Sequence, residues 1–404
     1  MSGSYEYALA ITSQFPFCSM PLRLDSYSRC QFACRYCFAA ARAGAAAPRG
    51  VKVADPEALA RRLGRLAGGA EPRSVLDEML AARVPIHFGG LSDPLMPLEE
   101  RLGVTLGFLK VLRDHAYPTV LSTKSPLCAS PKYLEILASG RFVVQISLPT
   151  LSDDLSRRVD VGVPATSERL DAVGRLASAG VIVTCRLQPL LDQDPAAFDL
   201  IAACSGAGAR QVAVEHLKLA VDNDEHRRAL AAAMGFDVMA YYRGRGALRV
   251  GREWILPVAD RFDRVVSLRD AAHAAGMLFG AADNDLLHLS DGTSCCSSID
   301  RLGLETKFRF TFTQAVRAHC QGRVSFAAIA SEWRPTRSVA RYVNSKSRIA
   351  RGTTEDYVRS HWNGFRHGSG LESFFGVSRT DEVDPDGFVI YELSSQVADL
   401  VGQA

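Results

Sequence analysis

Ten cysteines carry the strongest chemical signal in this 404-residue chain, and three of them fall in one run, Cys30-Gln-Phe-Ala-Cys34-Arg-Tyr-Cys37. The others are Cys18, Cys128, Cys185, Cys204, the adjacent pair Cys295-Cys296, and Cys320. C-x3-C-x2-C spacing lets a single loop fold three thiolates around one centre. A structural zinc site takes four ligands, usually from two separated pairs, and no second C-x2-C occurs in the chain. Three cysteines suit a [4Fe-4S] cluster with one iron left free of protein to take up a substrate or cofactor. The competing reading is a chance grouping of reduced thiols. The opening, MSGSYEYALAITSQ, lacks the charged and apolar regions of a signal peptide, and no apolar run has the length of a membrane span. The expectation is a cytoplasmic chain without membrane association, where grouped cysteines serve as ligands or catalysts more often than as crosslinks.

Such a loop needs a scaffold, and the composition is that of a folded one. A chain 47 % hydrophobic and 23 % charged is neither disordered, collagen-like nor coiled coil. Its 47 basic and 44 acidic residues leave only +3, so contact with a polyanion must come from a local patch. Strand-like runs at 22–27, 85–89, 119–123, 142–148, 181–187 and 211–217 alternate with helical patterns at 56–66, 98–114, 131–138, 167–179 and 195–204. Six such repeats predict an α/β fold, a partial (βα)6 TIM-like barrel.

Alternation with period two predicts what faces its interior. Ser122 and Lys124 share a face, as do Gln145 and Ser147, then Thr184, Arg186 and Gln188, and finally His216 and Lys218. Polar side chains at strand C-terminal ends read as the lining of a ligand cavity. A cation there needs an anionic partner. His216 reads equally well as a satisfied core histidine.

The run CQFACRYC, with Tyr36 before its last cysteine, resembles the signature of radical S-adenosylmethionine (SAM) enzymes. The resemblance implies that Cys30, Cys34 and Cys37 hold a [4Fe-4S] cluster whose fourth iron is chelated by SAM, with Tyr36 against the adenine. By the same resemblance the barrel is of the radical SAM type, and Gly89 and Gly90 meet the SAM amino group, although Leu91 stands where the family usually has Glu. Lys124 and Arg186 would then hold the SAM carboxylate, Ser122 and Ser147 the ribose or amine, and His216 completes the cofactor-binding set. The stretches GGLSDPLMPLE, LSTKSPL and LPTLSDDLSRRVD are similar to the branch related to spore photoproduct lyase, over roughly residues 20–300. That branch carries a hydrogen-donating cysteine beyond its second strand. Here Gly89-Gly90 occupies the place, and no cysteine lies between Cys37 and Cys128. Cys295 and Cys296, after a further strand-like stretch, are the alternative hydrogen donors, or with Cys320 ligands of a second cluster, or idle thiols.

The barrel is assigned to residues 1–290 and a C-terminal α-rich extension to 291–404. Within the extension, residues 331–366 hold eight basic residues, Arg334, Arg337, Arg341, Lys346, Arg348, Arg351, Arg359 and Arg366, interleaved with Trp333, Tyr342, Tyr357, Trp362 and Phe365. That composition suits a nucleic-acid or nucleotide surface, or equally helices with a basic face over an aromatic core. The stretch SRTDEVDPDG makes the tail acidic, either folded over the barrel mouth or free. The expected activity is reductive cleavage of SAM to a 5′-deoxyadenosyl radical that abstracts hydrogen, first from a nucleobase in nucleic acid or a nucleotide. Radical tailoring of a small molecule or peptide is the alternative, and an iron-sulfur redox sensor that binds DNA the third. An electron donor such as flavodoxin or ferredoxin is the implied partner.

Overall fold

A computed structural model describes residues 5–12, 14–43, 50–191, 196–296, 299–343, 352–364 and 369–402. Pro195, residues 44–49 after the cysteine run, and Lys346, Arg348, Arg351, Phe365 and Arg366 of the basic segment lie outside the described residues, as does the Arg341 side chain.

Eight strands form one sheet in chain order: β1 (Leu9–Ile11), β2 (Leu22–Leu24), β3 (Ile86–Phe88), β4 (Thr119–Thr123), β5 (Phe142–Ser147), β6 (Ile182–Leu190), β7 (Gln211–His216) and β8 (Leu278–Ala281). All neighbours from β2 to β8 pair in parallel, and β1 is antiparallel to β2. The six predicted strands are therefore present. The sequence reading had a further strand-like stretch before Cys295, now β8, and did not include β1.

Helices α1 (Pro56–Ala67), α2 (Val104–Asp114), α3 (Pro131–Ser139), α4 (Thr166–Ser178), α5 (Ala197–Gly206) and α6 (Val258–Ala274) cross between the strands. Asp55 starts α1 by accepting from the Glu57 N–H, with proline in the first turn where its missing N–H costs nothing. The pattern predicted as one helix over 98–114 is two, because Gly103 adopts φ +64° and breaks the ladder between Pro97–Leu102 and α2.

Period two sorts the sheet into two faces. Leu121, Val144, Ile146, Val183, Val212, Val214 and Phe279 point under the helices into the main core. That core runs without a break into the C-terminal region through Phe308, Phe312, Trp362 and Tyr391. On the other face Val120, Val143, Ile182 and Leu278 are capped by Met20, Cys296, Ile299, Leu302 and Leu304. Cys296, Ile299, Leu302 and Leu304 thus give the inner face an apolar floor.

The C-terminal extension contains the helices Phe312–Arg317, Thr354–Trp362 and Ser395–Gly402, and in addition a three-stranded antiparallel sheet of Arg323–Val324, Val389–Leu393 and Val377–Val383. The acidic stretch is not free: it forms an arm and the turn of the Val377–Val383/Val389–Leu393 hairpin. Among the described residues no helix is long and apolar enough to cross a membrane.

Candidate active site

The cysteine run leaves β2 and is clamped at its middle. Ala33–Cys34 pairs antiparallel with Asp160–Val161, and the Arg35 N–H donates to the Val159 carbonyl at 2.8 Å. The three thiols pack with Tyr27, Phe32 and Met96. Backbone N–H groups point at two sulfurs, Asp93 to Cys30 and Ala40 to Cys37, each at 3.5 Å. Burial, with the Asp93 carboxylate, pushes the Cys30 thiol up to about 12, and burial raises Cys34 further against the pull of Lys124. Three soft donors on one loop, two N–H···S contacts and a nearby ammonium have the chemistry an iron-sulfur site needs in its donor set and outer shell. These residues fit a cluster, although among the described residues no three metal-competent side chains stand gathered at metal-holding spacing.

Asp160 ties this loop to the sheet. Its carboxylate is fully buried and meets Arg169 Nη1 at 3.0 Å, Lys124 Nζ at 3.2 Å and the Tyr36 hydroxyl. Lys124 also donates to the Tyr36 oxygen at 2.6 Å. Burial opposes ionisation of Asp160, but Lys124, Arg169 and the Tyr36 hydrogen bond outweigh it and hold the carboxyl below its usual range. Arg169, buried in α4, spends its other donors on the Ser147 carbonyl at 2.7 Å and the Ser156 hydroxyl at 2.6 Å. Lys124 therefore finds its anionic partner within the chain. Asp93 fixes the preceding turn, accepting from Thr123 Oγ1 at 2.7 Å and the Lys124 N–H at 2.6 Å.

Below this node lies a polar layer on the inner face. Ser122, Gln145, Thr184 and Gln211 stand in register on β4 to β7, and Ser147 and Arg186 in register one step up. Ser122 donates to Gln145 Oε1 at 2.9 Å and meets His87 Nε2 at 2.7 Å, while Arg186 donates to the same Gln145 oxygen at 3.2 Å. Ser122 and Gln145 are thus engaged with each other and with β3.

The face predicted for the sixth strand is corrected. Val212 and Val214 point into the core under the helices, so His216 continues that face and Glu215 takes the inner one. His216 Nδ1 bonds Asp283 at 2.7 Å, and Asp283 and Asp285 pair with Arg261 of α6. This network anchors a helix to the strand ends and leaves His216 Nε2 buried without a partner.

Gly89 has φ +96°, and a Cβ there would stand 2.4 Å from the Ser122 carbonyl oxygen. A Cβ at Gly90 would meet only the movable Arg23 side chain, at 2.7 Å from Cδ. Gly89→Ala is expected to cost about 2–4 kcal/mol from positive φ and overlap together. Gly90→Ala should cost less, and urea midpoints of the two variants check the order.

The Cys295 and Cys296 sulfurs are 3.8 Å apart at the floor of the inner face. The Cys295 carbonyl accepts from Gln211 Nε2 at 3.2 Å. The hydrogen bond from Cys295, with Arg186 acting against burial, draws the Cys296 thiol down to about 7. Their sulfur neighbour is Cys18, which packs in the same cluster and which sequence reasoning assigned no role. Cys320 is exposed beside the Arg323–Val324 strand and outside that cluster, so the structure does not support a second cluster on Cys295, Cys296 and Cys320.

The described part of the basic segment is largely internal structure. Arg334 and Arg359 share Glu355, at 2.8 and 2.7 Å from their Nε atoms, and Arg337 pairs with Glu78. Arg334 lies over Phe310 and Arg359 over Phe326 and Phe388. Trp362 is fully buried and donates to the Val389 carbonyl. Of its two sequence readings, the basic face over an aromatic core holds for these residues.

Comparison with known proteins agrees with this geometry. Residues 25–195 match the Radical SAM superfamily. No curated protein matches the chain. Among solved structures, a cysteine-to-alanine variant of spore photoproduct lyase with dinucleoside spore photoproduct superimposes with TM-score 0.51 at 13 % identity, covering 70 % of this chain and 80 % of that one. The same variant without the dinucleoside gives TM-score 0.51 at 12 % identity, again over 70 % and 80 %. Streptococcus suis SuiB bound to S-adenosylmethionine matches at 14 % identity and TM-score 0.43, over 75 % of this chain and 58 % of its own. The matched stretch spans the cysteine loop and the strands from β3 to β6, so this part of the chain is similar to radical SAM domains, whose cofactors are a [4Fe-4S] cluster and SAM.

Proposed function

We propose that the chain holds its cluster on Cys30, Cys34 and Cys37 and acts on a nucleobase in a nucleic acid or nucleotide. When bound and reduced, the cluster supplies the electron that splits SAM and so delivers the radical that takes hydrogen from the substrate. Lys124 and Tyr36, fixed by Asp160, stand between the cysteine loop and the sheet, on the cofactor side. Cys295 and Cys296 are the thiols on the inner face that would return a hydrogen atom to the substrate. A one-electron donor protein of the flavodoxin or ferredoxin kind completes the cycle.

The observation that carries the substrate reading is a basic hairpin beside the cysteine loop. Arg243, Arg245, Arg249 and Arg252 fall within ten residues that contain no acid, and all four are exposed. Arg249 lies in Leu248–Val250, the edge strand of a small sheet with Glu253–Ile255 and Leu219–Ala220, Arg252 in the turn after it, and Arg243 and Arg245 at the end of the preceding helix Val238–Gly244. Arg252 lines one cleft with Tyr36 and Phe38 beside the cysteine loop, together with Lys218, Asp222 and Glu253. Arg252 is paired with Asp222 at 3.7 Å, and Arg243, Arg245 and Arg249 add an exposed cationic lip of the kind a phosphate backbone binds. The dinucleoside in the spore photoproduct lyase structure is consistent with a substrate of that class.

Replacing the four arginines by glutamine tests this. Binding of the reconstituted protein to duplex DNA should weaken at least tenfold at low salt, and the slope of log K against log salt should fall by roughly 3–4. If the wild type shows no salt-dependent binding, the reading is wrong and a small molecule or peptide becomes the substrate.

A further inference from the structure

We propose that Arg186, assisted by Arg23, binds an anionic group of the substrate, a phosphate or a carboxylate, in the depth of the inner face. This rests on the inner face being the substrate chamber, but not on the substrate being nucleic acid.

Lys124 and Arg186 differ in their surroundings. Lys124 is satisfied by Asp160 and Tyr36, toward the cysteine loop. Arg186 has no carboxylate within ion-pair distance among the described residues, and it donates to the neutral Gln145 oxygen. Glu215 stands on the same face but is held by Lys218. The charge of Arg186 acts on the Cys295–Cys296 thiols and on the His87 ring.

Arg23 enters from the other side. Its Nε pairs with buried Asp25 at 2.8 Å, and its stem runs over Gly90, where any Cβ would displace it. Asp25 cancels the charge of Arg23, so the recess keeps the full charge of Arg186. His87 adds none: burial first, then Arg186 and Arg23, push its ring down to about 3. Since Ser122 donates to Gln145, neutral His87 gives its Nε2–H to Ser122. Gln145 Nε2 is buried with no acceptor. An uncompensated guanidinium beside an unmet amide donor, with Arg23, His87 and Arg186 all keeping solvent access, is a donor set suited to an anion.

The test is calorimetric titration of the cluster-reconstituted protein with inorganic phosphate, acetate and SAM in separate runs. The wild type should bind at least one anion, Arg186→Gln should weaken that binding about tenfold or more, and Arg186→Lys should lose less. SAM affinity should stay within about twofold in both variants, with iron content and melting temperature unchanged. Phosphate bound above acetate marks a phosphorylated substrate, and the reverse a carboxylate. No anion binding by the wild type, or anion binding untouched by Arg186→Gln, overturns the proposal. So does a tenfold loss of SAM affinity with the anion competing against SAM, which would return Arg186 to the cofactor. The four-arginine hairpin variant should leave these titrations unchanged, so failure of the nucleic-acid reading is seen separately.

Discussion

Cys34→Ala is expected to abolish cluster assembly and to lower SAM cleavage by about 10³-fold or more, because the three thiolates act as a unit. Cys34 is the buried cysteine of the three and the one clamped by the Asp160–Val161 strand pair, so its sulfur is the most constrained. The variant should keep its fold, since a side chain this small leaves only a minor cavity beside Phe32 and Tyr27. Iron and acid-labile sulfide per chain, with far-ultraviolet circular dichroism as the folding control, report the outcome. A variant with a full complement of iron and undiminished cleavage would remove Cys34 from the site.

Asp160→Asn should have the largest effect on stability. It leaves Arg169, fully buried, and Lys124, mostly buried, facing no counter-charge. Removing one partner of a buried pair costs about 3–5 kcal/mol. The sign of the pH dependence follows from the lowered pKa of Asp160. A carboxyl held below its unfolded value contributes stability that is fully present above the unfolded pKa, and this is lost as pH falls through the folded one. The gap between wild type and variant in urea midpoint should therefore be constant from pH 7 down to the ordinary carboxylate range, then narrow. A gap that widens on acidification, or none at pH 7, would show that Asp160 is not ionised in the fold. Tyr36 and Lys124 should lose their orientation together, so a cation at position 124 alone does not preserve the site.

Much of this was readable from residue types. Three of the four inner faces follow from period two, because Ser122, Gln145 and Thr184 interrupt otherwise apolar strands at one parity. The fourth did not: in Gln-Val-Ala-Val-Glu-His the small Ala213 separates two valines, and pattern alone cannot tell which parity lies under the helices. Asp160 ends the stretch LPTLSDDLSRRVD that carried the resemblance, yet its role depends on Arg169 and Lys124 meeting it from other elements. Arg169 reads as a surface residue of a helix until the fold buries it. The arginines at 334, 337 and 359 mislead in the opposite sense, since composition cannot show that Glu78 and Glu355 already neutralise them.

The most direct test of the central claim is made without oxygen: reconstitute the chain with iron and sulfide, reduce it with dithionite, add SAM, and quantify 5′-deoxyadenosine by mass spectrometry, with and without DNA. The expected result is 5′-deoxyadenosine and methionine from the wild type, increased by DNA and absent from Cys34→Ala. A fully loaded, reducible cluster that binds SAM and yields no 5′-deoxyadenosine under either condition would contradict radical chemistry in this chain.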